Sequence, residues 1–254
     1  MWRSLVILVL CCWLPAKGAI ALNLSDRVQQ FPQWSGMAVV ETAAGDLEYP
    51  DWFAGEWLAT STLKETLAPL APDLTTPGFE GNQEYLDRPV QFAVKFGKDR
   101  AESSPVVADR AFNGQNIAKA YLGEEAVRSV KVDPTNPNRQ ITKLSPGQQL
   151  ISTVTGRKSE FPSRDRFIAT EVTRQVFRRP SQIYVNTVEI TTAYQRVNPQ
   201  TIQATQFAAI YFAPEDPHYF EALGHPVALY RYDLNLVRRE AKPDSIRVNS
   251  FTHS

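Results

Sequence analysis

The sequence predicts an all-β protein with minor α content, an antiparallel barrel of about eight strands preceded by a long proline-rich front loop. Three observations carry this prediction. From Val90 onward, runs with period-two alternation recur at short spacing, and they are enriched in β-branched and aromatic residues. Turn signals such as Asn198-Pro199-Gln200 separate the runs. Composition supplies the third: 43% hydrophobic and 11% aromatic residues over 254 positions are enough to cover one sizeable core. An open sandwich is the alternative architecture.

The elements follow in order. Met1-Trp2-Arg3-Ser4 leads into the apolar run Leu5 to Leu14, then Pro15 and the small residues of Ala16-Lys17-Gly18-Ala19-Ile20-Ala21. This positive, apolar and small-residue order predicts a secretory signal peptide over residues 1–21, with Ala19-Ile20-Ala21 at the cleavage site. The run has ten residues, half of the roughly 20 that a bilayer span needs. Both cysteines, Cys11 and Cys12, lie inside it, so the exported chain is expected to carry no disulfide, thiolate nucleophile or cysteine-ligated metal. Removing Arg3 and Lys17 from 27 basic residues leaves 25 against 27 acidic ones. Such a near-neutral balance argues against a nucleic-acid partner. No later stretch is long enough to span a bilayer.

Residues 22–46 read as an N-terminal extension with at most one helix, capped at Ser25-Asp26 and interrupted by Pro32 and Gly36. The barrel domain is expected over residues 47–242. It opens with a turn at Pro50-Asp51 and a first strand from Gly55. Pro69, Pro72, Pro77, Gly78, Gly81 and Pro89 then predict a long loop without regular structure over residues 64–89, a lid or binding loop by its length. In the next strand Val90, Phe92, Val94 and Phe96 share a face. A helix is expected over residues 109–122, and strands over 126–132, 150–156, 166–178, 184–197, 201–212 and 227–237. Val188, Ile190, Thr192 and Tyr194 oppose Glu189, Thr191 and Gln195, while Tyr230, Tyr232, Leu234 and Leu236 share a face in the last strand. Residues 243–254 form a polar tail.

The most specific local pattern is Trp52-Phe53-Ala54-Gly55-Glu56-Trp57. A Gly-x-Trp entering the first strand resembles the opening motif of lipocalins. That resemblance implies a structural role for Gly55, as a close backbone approach at the barrel base. It also implies that Trp57 closes the base against a basic side chain of the final strand, here Arg238 or Arg239. Phycobiliprotein lyases are lipocalin-like barrels with a similar start, but they work in the cytoplasm, which conflicts with an export signal. Together with Thr60-Ser61-Thr62, Pro77-Gly78-Phe79-Glu80-Gly81-Asn82 and Tyr230-Arg231-Tyr232, the Tyr49 to Trp57 stretch resembles an uncharacterised family of cyanobacteria and chloroplasts. That resemblance implies export to the periplasm or thylakoid lumen and names no cofactor.

The chemistry-bearing residues point to binding more than catalysis. A small hydrophobic or tetrapyrrole-type ligand is expected on an inward aromatic face made of Phe92, Phe96, Tyr194, Phe207, Tyr230 and Tyr232, with Arg231 nearby. The pairs Arg178-Arg179 and Arg238-Arg239 are solvated rims or forks for a ligand carboxylate. No G-x-S-x-G elbow occurs, Gly78-Phe79-Glu80-Gly81-Asn82 lacks a phosphate-cradling lysine, and Glu124-Glu125 project to opposite faces on a strand. No catalytic residue and no metal ligand set is assigned; His218, Asp216 and His225 match no established metal spacing. Three functions are open: a carrier of an apolar ligand, an assembly factor for a photosynthetic membrane complex, and an isomerase- or lyase-type enzyme. The last requires at least two of Arg231, Tyr232, His218 and Glu189 to meet in one pocket.

Overall fold

The computed structural model describes residues 23–98 and 104–239. The expected signal peptide and polar tail lie outside these residues. Helix α1 (Leu24–Gln29) is the first described element, its first turn capped by the Asn23 side chain, which accepts from Asp26 N. The cap is therefore Asn23 rather than Ser25-Asp26. Two short strands follow, β1 (Glu41–Thr42) and β2 (Glu48–Tyr49), then a 3-10 turn and β3 (Gly55–Leu67). The front loop is less irregular than its prolines and glycines predict. It holds a short helix, α2 (Phe79–Asn82), and a 3-10 turn at Gln83–Tyr85 before β4 (Pro89–Lys98). Gly78 makes that helix start possible, since its φ of 84° is a backbone that side chains resist. Next come β5 (Val106–Ala108) and α3 (Arg110–Leu122), the expected second helix. Asp109 caps it by accepting from Phe112 N. The remaining strands are β6 (Ser129–Asp133), β7 (Asn136–Lys143), β8 (Gln149–Ser163), β9 (Arg166–Arg179), β10 (Gln182–Asn198), β11 (Thr201–Phe212) and β12 (Ala228–Arg238).

These strands form one antiparallel sheet in the order β2-β5-β4-β3-β12-β11-β10-β9-β8-β7-β6, with β1 added beside β8. Its central strands are long, 15, 14 and 17 residues for β8, β9 and β10, and accumulated right-handed twist curls the sheet into a half-barrel. The expected closed barrel of about eight strands is thus corrected to an open sheet of twelve. β1, β2 and β5 are two or three residues long, too short for a periodic signal. β7 was hidden by its polar start, Asn136-Pro137-Asn138.

The seam stays open because a helix occupies it. α3 packs on β4, β6 and β7, lying across the gap that closure would have removed. This is the second way to protect a sheet edge, by cover instead of pairing. Residues paired across neighbouring strands share a face, so the register defines the two surfaces. Leu236 opposes Ala59, and Ala59 opposes Phe92. Tyr194 opposes Ala204, which opposes Leu234. These lie on the concave face, with a core of Phe53, Trp57, Phe96, Phe167, Ile202 and Leu236. The convex face is covered by the N-terminal segment, where Phe31 and Trp34 pack on Phe207, Ala209, Tyr211 and Leu229.

Candidate functional site

The base of the half-barrel is sealed by the Gly-x-Trp segment. Trp57 is 1% exposed, its indole N–H donates to the Phe53 carbonyl at 2.7 Å, and the Arg238 guanidinium stands 4.1 Å from its ring centroid. Arg238 also donates to the carbonyls of Ala54 (2.6 Å), Pro199 (3.0 Å) and Trp52 (3.1 Å). It thereby ties the last strand to the first turn. Gly55 has a φ of 122°, and a Cβ there would meet Arg238 Nη1 at 2.6 Å. Only glycine combines that backbone with that approach. Arg239 joins through its backbone, donating to the Glu56 carbonyl at 2.9 Å. Arg238 is therefore the partner of the tryptophan.

Above the base the concave face encloses a cavity of about 380 Å³. Phe92, Phe96, Tyr194 and Tyr232, four residues of the expected aromatic face, line it from the sheet, and Ile117 and Tyr121 line it from α3. No Asp, Glu, Lys or Arg lines it among the described residues. Burial pushes the Tyr194 phenol up to about 12, and it raises Tyr232 and Tyr121 as well, so these hydroxyls are neutral at physiological pH. Tyr121 donates to Ser61 Oγ at 3.2 Å, and its carbonyl accepts from the Tyr85 hydroxyl at 3.1 Å. The second contact attaches the front loop to α3. That loop also packs inward through Phe79 and Tyr85 on Tyr230 and Tyr232, and through Leu70 and Leu74 on Phe212 and Val227.

One wall of the concave face is polar. Glu171 Oε1 accepts from Arg110 Nη2 of α3 at 3.0 Å and from Arg157 Nη2 of β8 at 2.8 Å. Arg110 also reaches Asp46 at 2.7 Å, and Arg157 reaches Asn138 Oδ1 at 2.6 Å. This network fixes the start of α3 to the sheet and so positions the helix over the cavity.

Three residues of the expected aromatic site lie elsewhere. Phe207 pairs with Arg231 across β11 and β12, and both face the convex side. Phe207 is buried there under Phe31 and Trp34, because the one-residue offset from Gln206 and Ala208 reverses its direction. Arg231 forms ion pairs with Glu65 at 3.0 Å and Asp233 at 3.2 Å. Tyr230 is on the concave side but packs with Leu63, Phe79 and Ala208, and its hydroxyl accepts from Asn82 at 3.1 Å. Glu189 and His218 are also apart from Tyr232: Glu189 is buried on the convex face, and His218 pairs with Glu221 at 3.2 Å in the connection before β12. The four residues of the enzymatic alternative do not converge. Among the described residues no group of three or more His, Cys, Asp or Glu is placed to hold a metal ion.

Sequence reasoning missed one further site. Arg27 of α1 meets the fully buried Glu189 with two hydrogen bonds, 2.9 and 2.8 Å, and lies 3.8 Å from the Trp34 ring centroid. Ala38 N, Thr191 and Tyr211 complete the carboxylate's partners at 2.9, 3.2 and 3.3 Å. The legible signal was a glutamate inside the apolar stretch Val188 to Ile190, which calls for a cation from outside the strand.

Fold and site together define a half-barrel architecture, an antiparallel sheet curled around a cavity and covered by one helix. Residues 41–240 match the family described as a domain of unknown function (DUF6816), and the chain belongs to that family. The match begins before the expected domain start at residue 47 and takes in β1. No curated protein and no solved structure matches the chain. No helix among the described residues is long and apolar enough to cross a membrane.

Proposed function

We propose that the protein is an exported carrier that holds a small apolar ligand in the cavity beneath α3. The observation that carries this reading is the cavity, about 380 Å³, aromatic and lined by no charged side chain among the described residues. It falls at the lower end of the roughly 300–1,000 Å³ typical of ligand pockets. A compound of one or two rings or a short acyl chain therefore fits better than a tetrapyrrole. The base seal of Gly55, Trp57 and Arg238 is the device that a lipocalin resemblance implies, and it supports a container whose bottom is closed independently of its contents. The front loop, attached to α3 by Tyr85, supports a lid role. The signal-peptide pattern supports export to the periplasm or thylakoid lumen, and the family resemblance supports a photosynthetic host.

Titration with the apolar fluorophore N-phenyl-1-naphthylamine tests the carrier reading. Enhancement that saturates in the native protein and is lost in Ala208→Phe, which fills the cavity, is the expected result. An Ala208→Phe protein that folds and still binds the probe would remove the reading.

One observation favours a second reading, an assembly factor for a membrane complex. In the connection between β11 and β12, Phe220 and Leu223 are 82% and 81% exposed, an apolar pair at a loop tip. In that case Phe220→Ser/Leu223→Ser abolishes co-sedimentation with isolated photosynthetic membranes while fluorophore binding persists. Unchanged sedimentation would discard it.

A further inference from the structure

The concave face holds a second compartment, of about 320 Å³, between the front loop at Thr76–Asn82 and the turn-proximal ends of β9 and β10. It shares no lining residue with the cavity under α3. Ala208 lines the lower space, whereas Ile210, two residues along the same face of β11, lines this one.

Its chemistry is different. Alternate residues of two paired strands present Gln175, Phe177 and Arg179 from β9 and Gln182, Tyr184 and Asn186 from β10. Phe177 and Tyr184 form a cross-strand aromatic pair, centroids 5.9 Å apart and planes at 34°. Tyr184 is held by a 2.8 Å hydrogen bond to Thr76 of the front loop. Asn186 is 3% exposed, and its side-chain oxygen, Oδ1, is buried with no hydrogen-bond partner among the described residues. A buried amide oxygen without a donor is costly and rare, and here the residue that bears it is one of those lining the compartment.

We infer that this compartment binds a neutral polyhydroxylated ring of the sugar class, with a ligand hydroxyl donating to Asn186 Oδ1. Three features converge on that chemistry. The orphan acceptor requires a donor, which a carboxylate or phosphate does not bring. The side amides of Gln175 and Gln182 offer both donors and acceptors, matching hydroxyl groups that do the same. The Phe177–Tyr184 pair gives an apolar platform for the C–H face of a sugar ring. Among the described residues no carboxylate lines the compartment, and the one guanidinium that does, Arg179, is exposed.

Saturation-transfer NMR on the full chain with the methyl glycosides of glucose, galactose and mannose tests the inference. The expected result is transfer to at least one glycoside, strongest at ring C–H protons. Asn186→Leu should weaken that binding about tenfold, the size of one lost hydrogen bond. The same variant without sugar should be as stable as the native protein or more so, because it removes an unsatisfied buried group. Gln182→Ala, at an exposed position, should weaken binding severalfold without altering the fold. Binding of N-phenyl-1-naphthylamine under α3 should be unchanged in both variants, which separates this site from the carrier cavity. Absence of transfer from all three glycosides, or transfer undiminished in Asn186→Leu, would overturn the inference. A lower melting temperature of sugar-free Asn186→Leu would do the same, since it would show that a structural water already satisfies the oxygen.

Discussion

Glu189 and Glu171 sit on neighbouring strands of one sheet, point to opposite faces, and each meets an arginine delivered by a helix. On the convex face, Glu189 has a fully buried side chain and is bound by Arg27 of α1 together with Ala38 N, Thr191 and Tyr211. On the concave face, Glu171 keeps a side chain 24% exposed and is shared by Arg110 of α3 and Arg157. The first is a dry clamp that fastens the N-terminal segment to the convex face. The second is a wetter network that positions the helix covering a cavity. The same chemical pair therefore serves attachment on one face and placement on the other, and the difference is desolvation.

Desolvation makes the largest prediction. Arg27→Met strands a buried carboxylate and should cost about 3–5 kcal/mol in urea denaturation. Adding Glu189→Leu should recover most of that loss, because an apolar pair of similar volume replaces the ions. A single variant that costs under about 1 kcal/mol would place the clamp in the same weak class as exposed pairs. Gly55→Ala belongs to neither carboxylate and calibrates the base seal. Forcing a side chain into φ 122° and against Arg238 should cost about 1–3 kcal/mol, read from the same transitions. Glu171→Gln should cost less, about 1 kcal/mol, since partial exposure screens its pairs. Its signature is local: amide exchange in α3 should accelerate while α1 stays protected. Equal acceleration in both helices would collapse the distinction between the two faces.

The smallest effect shows itself only at alkaline pH. Burial raises the Tyr194 phenol on the concave face from 10.0 to about 12. Between those values the unfolded chain releases this proton and the native chain retains it, so the contribution is intact below pH 10 and is lost as pH rises towards 12. On the convex face Tyr211 is raised further, by burial and then by the Glu189 charge. Phenolate absorbance should show the concave tyrosine ionising first, and Tyr194→Phe should delete a step near pH 12. Loss of that step in Tyr211→Phe instead would reverse the assignment.

Much of the sheet was legible because its long strands carry a period-two pattern over many residues. β11 begins and ends where the alternation does, at Thr201 and Phe212. Of the expected aromatic site, the four residues that line the cavity came from strands whose faces are unmixed. Phe207 misled because β11 is apolar on both faces: Ile202, Ala204 and Ala208 look inward, and Phe207 and Ala209 look outward under a cover. Alternation cannot assign a face when both are buried. Arg231 misled for the related reason that its neighbours Tyr230 and Tyr232 are concave while it is not.

From the chain alone follow the antiparallel β class and both helices at residues 22–46 and 109–122, local or short-period properties set by backbone sterics, capping and alternation. The Gly55 to Trp57 seal and its basic partner on the last strand are what the lipocalin resemblance implies. The open seam filled by α3, the Arg27–Glu189 clamp and the placing of Ala208 and Ile210 in two separate compartments depend on contacts between distant segments. Periodicity does not encode such contacts. They arise when a twisted sheet curls and its remaining apolar and charged surfaces find cover in three dimensions.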